Sequence, residues 1–350
     1  NNGGTFNAIT SKDTIAINIS IGAPQDISIV SEILKEILFN SIFEDKVIET
    51  ERGSIYRELS DRKSNPSKAI GETSYRLFFQ ETPLGRSTLG TEDSIKNINR
   101  QDILSYYQND ILSGQVVLVT SGDISIDTIK KEFGFLETIK FTQKIPKNTL
   151  TTSQKKRVLI EKFTQNDQIT FSYGFRVGNI FDVSNPALTL LLQSLAATRS
   201  SRLITRLRYE NGLIYGINSW YDQLFDAGIW GIQTSTSKQN FQKVINIIES
   251  EFTTLTEIGL SDQELRFVKN KVIKSGRLHL QSSESIVNFH AYRQFINDDP
   301  GPWTLEKYTS DLEKVNYQQV LDTVHKYLDP NKSYLAICGD INEEQIKLKQ

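Results

Sequence analysis

The segment 94–125 (SIKNINRQDILSYYQNDILSGQVVLVTSGDIS) lies on 311–342 (DLEKVNYQQVLDTVHKYLDPNKSYLAICGDIN) without a gap, at an offset of 217 residues. Seven positions are identical, among them Asn99/Asn316, Leu104/Leu321, Leu118/Leu335 and the closing Gly122-Asp123-Ile124 against Gly339-Asp340-Ile341. Both copies read as helix, turn, buried strand and Gly-Asp turn. A weaker echo sets 15–38 on 229–252, at an offset of 214. A period this long is a domain and not a solenoid unit. The chain is therefore expected to be α+β, two similar domains from an internal duplication, each a mostly antiparallel sheet covered by helices. Amphipathic helices are predicted at 27–39, from about Asp45, 94–109, 241–256 and 262–275, and strands at 15–21, 115–120, 168–176, 230–234 and 333–338. The expected domains are 1–145 and 157–350, joined by a linker at 146–156 that contains Pro146 and the run 149–153. The second copy starts near Lys155, so the 217-residue offset predicts about sixty further residues of the first domain ahead of Asn1.

A chain of 350 residues is long enough for two hydrophobic cores. With 40 Lys+Arg against 42 Asp+Glu the net charge is −2, so no global basic field exists to hold nucleic acid or an anionic membrane. Apolar runs such as Val116-Val117-Leu118-Val119 are far too short to span a bilayer. The lone Cys338 excludes an internal disulfide and a cysteine-based zinc site, and leaves the compartment open. The chain holds no Met, and its start shows no secretory signal pattern.

The helix beginning near Asp45 (DKVIETERGSIYRELSDR) carries Val47, Ile48, Ile55 and Leu59 on one face. Glu51 and Glu58, seven residues apart, fall on that same face, separated by about 20° of rotation. Carboxylates in an inward arc require pairing or a metal. Spacing alone leaves two salt bridges and a metal site both open.

Four runs, GGTFNAITSKD (3–13), ETERGSIYREL (49–59), PLGRSTLGTEDSI (83–95) and SSRLITRLRYENGLIYGI (200–217), occur in the order found in the pitrilysin/insulinase family of zinc metallopeptidases, and the chain resembles its two-domain, mitochondrial-processing-peptidase-like branch. That resemblance implies two similar halves, as the repeat does independently. It implies Zn2+ as cofactor, held by two His of an H-x-x-E-H helix and by a distal Glu, with the Glu of the motif activating water. Carried over, Glu58 is the distal zinc ligand and Glu51 its supporting carboxylate. No H-x-x-E-H occurs here, and His279, His290 and His325 have no metal-pair spacing. By the family's layout the motif ends about twenty residues before Asn1; the alternative is that relatives of this chain replaced it.

In the second half, Arg208 and Tyr215 match the Arg and Tyr that the family brings to the zinc site, the Arg to substrate carbonyls and the Tyr hydroxyl to the oxyanion. Taken alone they need no function. Phe6, Asn7 and Ala8 match the strand that pairs with the peptide substrate through its main chain, although an ordinary edge strand reads the same. Departures from the family are Leu195-Ala196-Ala197-Thr198-Arg199 where a Gly-rich segment is common, and Ile17-Asn18 where an aromatic pair is usual. The resemblance thus implies a zinc endopeptidase acting on peptides or unfolded segments, working as a homodimer or as a heterodimer with a related subunit. The competing reading is a catalytically inactive subunit or structural homologue that partners an active peptidase.

Overall fold

The computed structural model describes residues 3–80, 82–139, 156–165, 167–296 and 304–349; the expected linker, apart from Lys156, lies outside them. In chain order the first half contributes β1 (Thr5–Thr10), β2 (Ile15–Ser20), α1 (Ile27–Phe39), α2 (Asp45–Ser64), α3 (Pro66–Phe79), α4 (Glu92–Asn97), α5 (Arg100–Tyr106) and α6 (Ile126–Phe133). The second contributes β3 (Val158–Glu161), β4 (Gln168–Val177), α7 (Asn185–Leu195), α8 (Arg202–Ile204), β5 (Ile217–Gln223), β6 (Gly228–Ser237), α9 (Phe241–Ile258), α10 (Asp262–His279), α11 (Ser283–Ile296), α12 (Leu305–Lys314), α13 (Tyr317–Tyr327) and β7 (Tyr334–Cys338). Helices α10 and α11 start 217 residues after α2 and α3, α13 starts 217 after α5, and α9 starts 214 after α1.

Two compact units form, and neither is a continuous stretch. One comprises Asn1–Arg57, Thr88–Lys147 and Gly276–Leu305; the other Glu58–Ser87, Asn148–Ser275 and Glu306–Gln350. The breaks near 57 and 87 recur near 275 and 305, again the repeat offset to within one residue. The halves have thus exchanged a helix: α3 belongs to the unit containing the second sheet, and α11 to the unit containing the β1–β2 hairpin.

In the second unit the strand order is β3-β7-β4-β6-β5, antiparallel except for the β3–β7 pair. The strand period of two divides the side chains between two layers. Phe171, Tyr173, Phe175, Trp230, Leu335 and Ile337 pack with α7, α9 and α13, whereas Ile229, Tyr334, Ala336 and Cys338 pack with Ile70, Leu77, Phe78 and Phe79 of α3. Gly174 and Gly231 face each other across β4 and β6, and a Cβ on either would strike main chain and the Trp220 ring. Their bareness admits the indole, which Phe78 meets edge-on at 5.5 Å.

The first unit has a smaller core of Val30, Ile129 and Phe133, joined by the half-buried Ile19, Ile27, Leu34 and Phe135. Ser31 Oγ donates to the Glu132 carbonyl at 2.6 Å, fastening α1 to α6.

Local devices repeat along with the elements. Asn99 and Asn316 each open their helix with a capping box, accepting from the backbone N–H three residues on. Arg52 of α2 donates to the carbonyls of Ile95 in α4 and of Ile98 just after it, and its counterpart Lys269 of α10 donates to the Glu313 carbonyl of α12 at 2.8 Å. Both exchanged helices are anchored by a Tyr hydroxyl on an Asp: Tyr75 on Asp222 at 2.7 Å, and Tyr292 on Asp13.

Two expectations are corrected. The single helix expected at 94–109 is broken at Asn99, because that residue caps a new helix, α5, which ends in a π turn at Tyr107–Ile111. The strand expected at 115–120 does not form: among the described residues the segment pairs with no strand, whereas β7, its counterpart, lies between β3 and β4. An apolar run forms a strand only where ladder partners satisfy its backbone, and among the described residues none lies beside 115–120.

Candidate functional site

Glu51 and Glu58 sit on α2 as the spacing predicts, but neither is buried. Of the expected inward face only Leu59 is buried; Ile48 and Ile55 are half-buried and Val47 is exposed. The inward arc is corrected to a face largely open to solvent, fully covered only at Leu59. Neither carboxylate makes an ion pair among the described residues, so the salt-bridge alternative is not realised either. One turn beyond Glu58, the Arg62 guanidinium bonds Glu72 of α3 and donates to Ser87 Oγ at 3.2 Å, while Ser87 Oγ donates to Glu72 at 2.8 Å. Burial lowers the Arg62 pKa, and the charges of Glu161 and Glu58 oppose that shift.

The repeat serves as an internal control on α2. At Arg52 the second copy keeps a cation, Lys269, doing the same carbonyl-binding work. At Glu51 and Glu58 it has Val268, which is buried, and Ser275. A helix in this position therefore needs neither carboxylate in order to pack.

Arg208 and Tyr215 are brought together on a firmly held turn. Leu203 and Leu207, both fully buried, pin one side of α8 and the π turn that follows it at Thr205–Glu210. Arg202 pairs with Glu264 at 2.7 Å, and Arg206 with Glu251 of α9. Of the cations at 202, 206 and 208, only Arg208 has no ion pair among the described residues. Gly212 takes the left-handed backbone (φ 61°) that reverses the chain, and the buried Leu213 returns its N–H to the Leu207 carbonyl at 2.8 Å. Thr236 and Thr234 of β6 donate to the carbonyls of Leu213 and Gly216, at 2.7 and 2.6 Å. The backbone on both sides of Tyr215 is fixed, yet its side chain is 88% exposed. The Arg208 guanidinium stands 5.0 Å from the Tyr215 ring centre and 5.6 Å from that of Tyr209. Tyr215 precedes β5 by two residues.

Phe6, Asn7 and Ala8 lie in β1, opposite Ile19, Asn18 and Ile17 of β2. The sheet has two strands only, so among the described residues the other edge of β1 is unpaired, and the whole strand is exposed.

Among the described residues no group of three His, Cys, Asp or Glu side chains converges to hold a metal ion. Glu58, unpaired and exposed, is chemically fit to give one oxygen ligand. A catalytic zinc needs about three protein ligands, so the residues present do not by themselves make a zinc site. His325 Nε2 lies 2.8 Å from the Thr256 carbonyl, and the His290 ring meets Phe289 edge-on at 5.0 Å; neither points to ligation. Among the described residues no helix is long and apolar enough to cross a membrane.

Comparison with known proteins converges on one family. Residues 1–92 match the model for insulinase (peptidase family M16), and residues 97–272 match that for the peptidase M16 inactive domain. An uncharacterized zinc protease of Bacillus subtilis is 25% identical over 91% of this chain and 76% of its own length. The mitochondrial-processing peptidase subunit beta of Bos taurus is 22% identical over 98% of this chain and 71% of its own. Among solved structures, a peptidase M16 inactive domain from Pseudomonas fluorescens superposes with a TM-score of 0.86 at 18% identity, covering 99% of this chain and 83% of that one. A protease from Helicobacter pylori does so at 0.83 and 18%, covering 97% and 82%. The chain belongs to the insulinase (peptidase M16) family.

Proposed function

We propose that this chain is the greater part of a zinc endopeptidase that cleaves peptides or unfolded segments, with Glu58 as the one zinc ligand it contributes and Glu51 as the carboxylate supporting that ligand. The observation that carries the reading is the asymmetry of the repeat: the contacts that build α2 recur in α10, whereas its two carboxylates do not. The remaining ligands belong to an H-x-x-E-H segment outside the sequence in hand. Zinc, when bound, supplies Lewis acidity and a water acidified toward neutrality.

The chain's own residues do the rest. An extended substrate adds to the open edge of β1 at Phe6, Asn7 and Ala8 through main-chain bonds. Arg208, stacked against two tyrosines but otherwise uncommitted, donates to a substrate carbonyl, and the Tyr215 hydroxyl donates to the oxyanion that forms at the scissile carbon. The sequential domain division at 146–156 and a dimer, with itself or with a related subunit, are part of the same proposal.

A second reading, a non-catalytic subunit, is favoured by the absence of a three-ligand group among the described residues. It has a parallel in a relative, cytochrome b-c1 complex subunit 1 of Caenorhabditis elegans, 25% identical over 83% of this chain. Metal analysis of the natively purified, full polypeptide separates the two. About one zinc per chain, lost in Glu58→Gln together with peptidase activity, is the expected result; a full polypeptide without zinc refutes the peptidase.

A further inference from the structure

The turn that carries Arg208 bears another side chain, Tyr209, to which the mechanism above gives no task. Its backbone is held from several directions. Leu203 and Leu207 are fully buried beneath it, Arg206 bonds Glu251, the Asn211 carboxamide donates to the Arg206 carbonyl at 2.8 Å, and the Gly212 N–H donates to the Arg208 carbonyl at 3.1 Å. Tyr209 nevertheless stands 55% exposed on this turn. A ring left more than half exposed contributes little through burial, so packing does not account for it.

What the ring touches is the neighbouring cation. The Arg208 guanidinium lies 5.6 Å from the Tyr209 ring centre and 5.0 Å from that of Tyr215, both within reach of cation–π attraction. Successive side chains on an α-helix point about 100° apart. A π turn, closed by i→i+5 bonds, holds more residues and spreads them less, which lets Tyr209 meet the guanidinium of the residue before it. Among the described residues neither phenol hydroxyl nor the guanidinium has a hydrogen-bond partner, so the rings are all that holds this cation.

We propose that Tyr209 is a positioning residue: its ring holds the Arg208 guanidinium at Tyr215 and leaves the N–H edge free to donate to the substrate. The inference rests on the reading of Arg208 as the group that binds a substrate carbonyl. An arginine free in solvent loses side-chain freedom when it binds, and one already held by rings has lost part of it beforehand. This preorganisation acts on ground state and transition state alike. Tyr209 therefore bears on KM, whereas the oxyanion donor Tyr215 bears on kcat.

The test replaces Tyr209 by Leu and by Phe in the full polypeptide. The side-chain Nε–Hε NMR signal of Arg208, assigned by its loss in Arg208→Ala, reads the restraint without any substrate. Tyr209→Leu should shift that signal and make it more mobile, and Tyr209→Phe, which keeps the ring face, should leave it in place. With a peptide substrate, Tyr209→Leu should raise KM by about two- to fivefold, the worth of an exposed cation–π contact, with kcat nearly unchanged. Tyr209→Phe should keep the wild-type KM, and Tyr209→Leu added to Arg208→Ala should change KM no further. An Arg208 signal indifferent to Tyr209→Leu, an unchanged KM, or an effect that persists without Arg208 would overturn the proposal. A wild-type full polypeptide that cleaves no peptide overturns the underlying reading and this substrate role with it, and the arginine signal tells the two failures apart.

Discussion

Replacing Phe78 by Ala tests the exchanged helix directly. Phe78 is fully buried, its ring stacked on Tyr334 at 4.9 Å and edge-on to Trp220 at 5.5 Å. Removing it opens a cavity against three strands of a five-stranded sheet, where the backbone cannot collapse, and a Phe→Ala change in such a place costs about 3–5 kcal/mol. Two ring contacts worth roughly 0.5–1.5 kcal/mol each place the expected loss in the upper part of that range without adding to it in full. For a unit of this size the loss corresponds to a fall in Tm of roughly 6–20 °C. The location of the damage matters more than its size. Phe78 belongs to the first half of the sequence, yet hydrogen exchange should show protection lost in β4 and β7 of the second. The counterpart change at Phe295, a half-buried residue of α11, should cost about 1–2 kcal/mol and spare that sheet. The exchange would be refuted if Phe78→Ala shifted stability by less than 1 kcal/mol, or if it loosened β1 and β2 while β4 and β7 stayed protected.

Tyr215→Phe should leave the melting temperature nearly unchanged, because the side chain is exposed, and lower peptidase turnover by about 10²-fold in the full enzyme; unchanged turnover removes Tyr215 from the mechanism. Gly212→Ala meets no atom within 4 Å but forces a side chain onto positive φ, so it should cost about 1 kcal/mol of backbone strain, read by thermal melting. Arg202 holds the Glu264 carboxyl at a pKa of about 2 against an ordinary 4.5, so the pair stabilises the protein fully above 4.5 and less as pH falls toward 2. With the pair partly exposed, Arg202→Met should cost about 1 kcal/mol at pH 7 and much less near pH 2, as urea titrations at the two pH values would show.

Helices α1, α9 and α10 begin where amphipathic periodicity places them, because a buried stripe is written in the residues that form it. The helix exchange is written too, as Tyr75-Arg76 and Phe78 against Tyr292-Arg293 and Phe295 at the repeat offset, but a match of residues does not say which sheet a helix will choose. The run 115–120 fails for the complementary reason: β propensity is local, whereas strand formation depends on partners elsewhere in the chain. Glu51 and Glu58 were legible as a pair and misread as buried, since a helical wheel gives rotation about an axis and not what lies against each side.

A duplicated fold separates chemistry from architecture within one molecule. Where both copies keep a contact, as at Asn99 and Asn316, Arg52 and Lys269, or Tyr75 and Tyr292, the element itself requires it, and changing it should cost stability before anything else. Where one copy carries a polar group that the other replaces with Val or Ser, as at Glu51 and Glu58, the fold is indifferent and the group is free for another task. The same comparison marks Arg62 and Glu72, bonded to each other in the second unit, whose counterparts are His279 and Phe289. Bonding between those two spends polar groups in a place that the other copy fills without them. The carboxylates of α2 and the Arg62–Glu72 pair thus fall within one stretch of chain, 51–72, where the copies diverge in charge while agreeing in backbone, and the proposed metal ligand lies inside it.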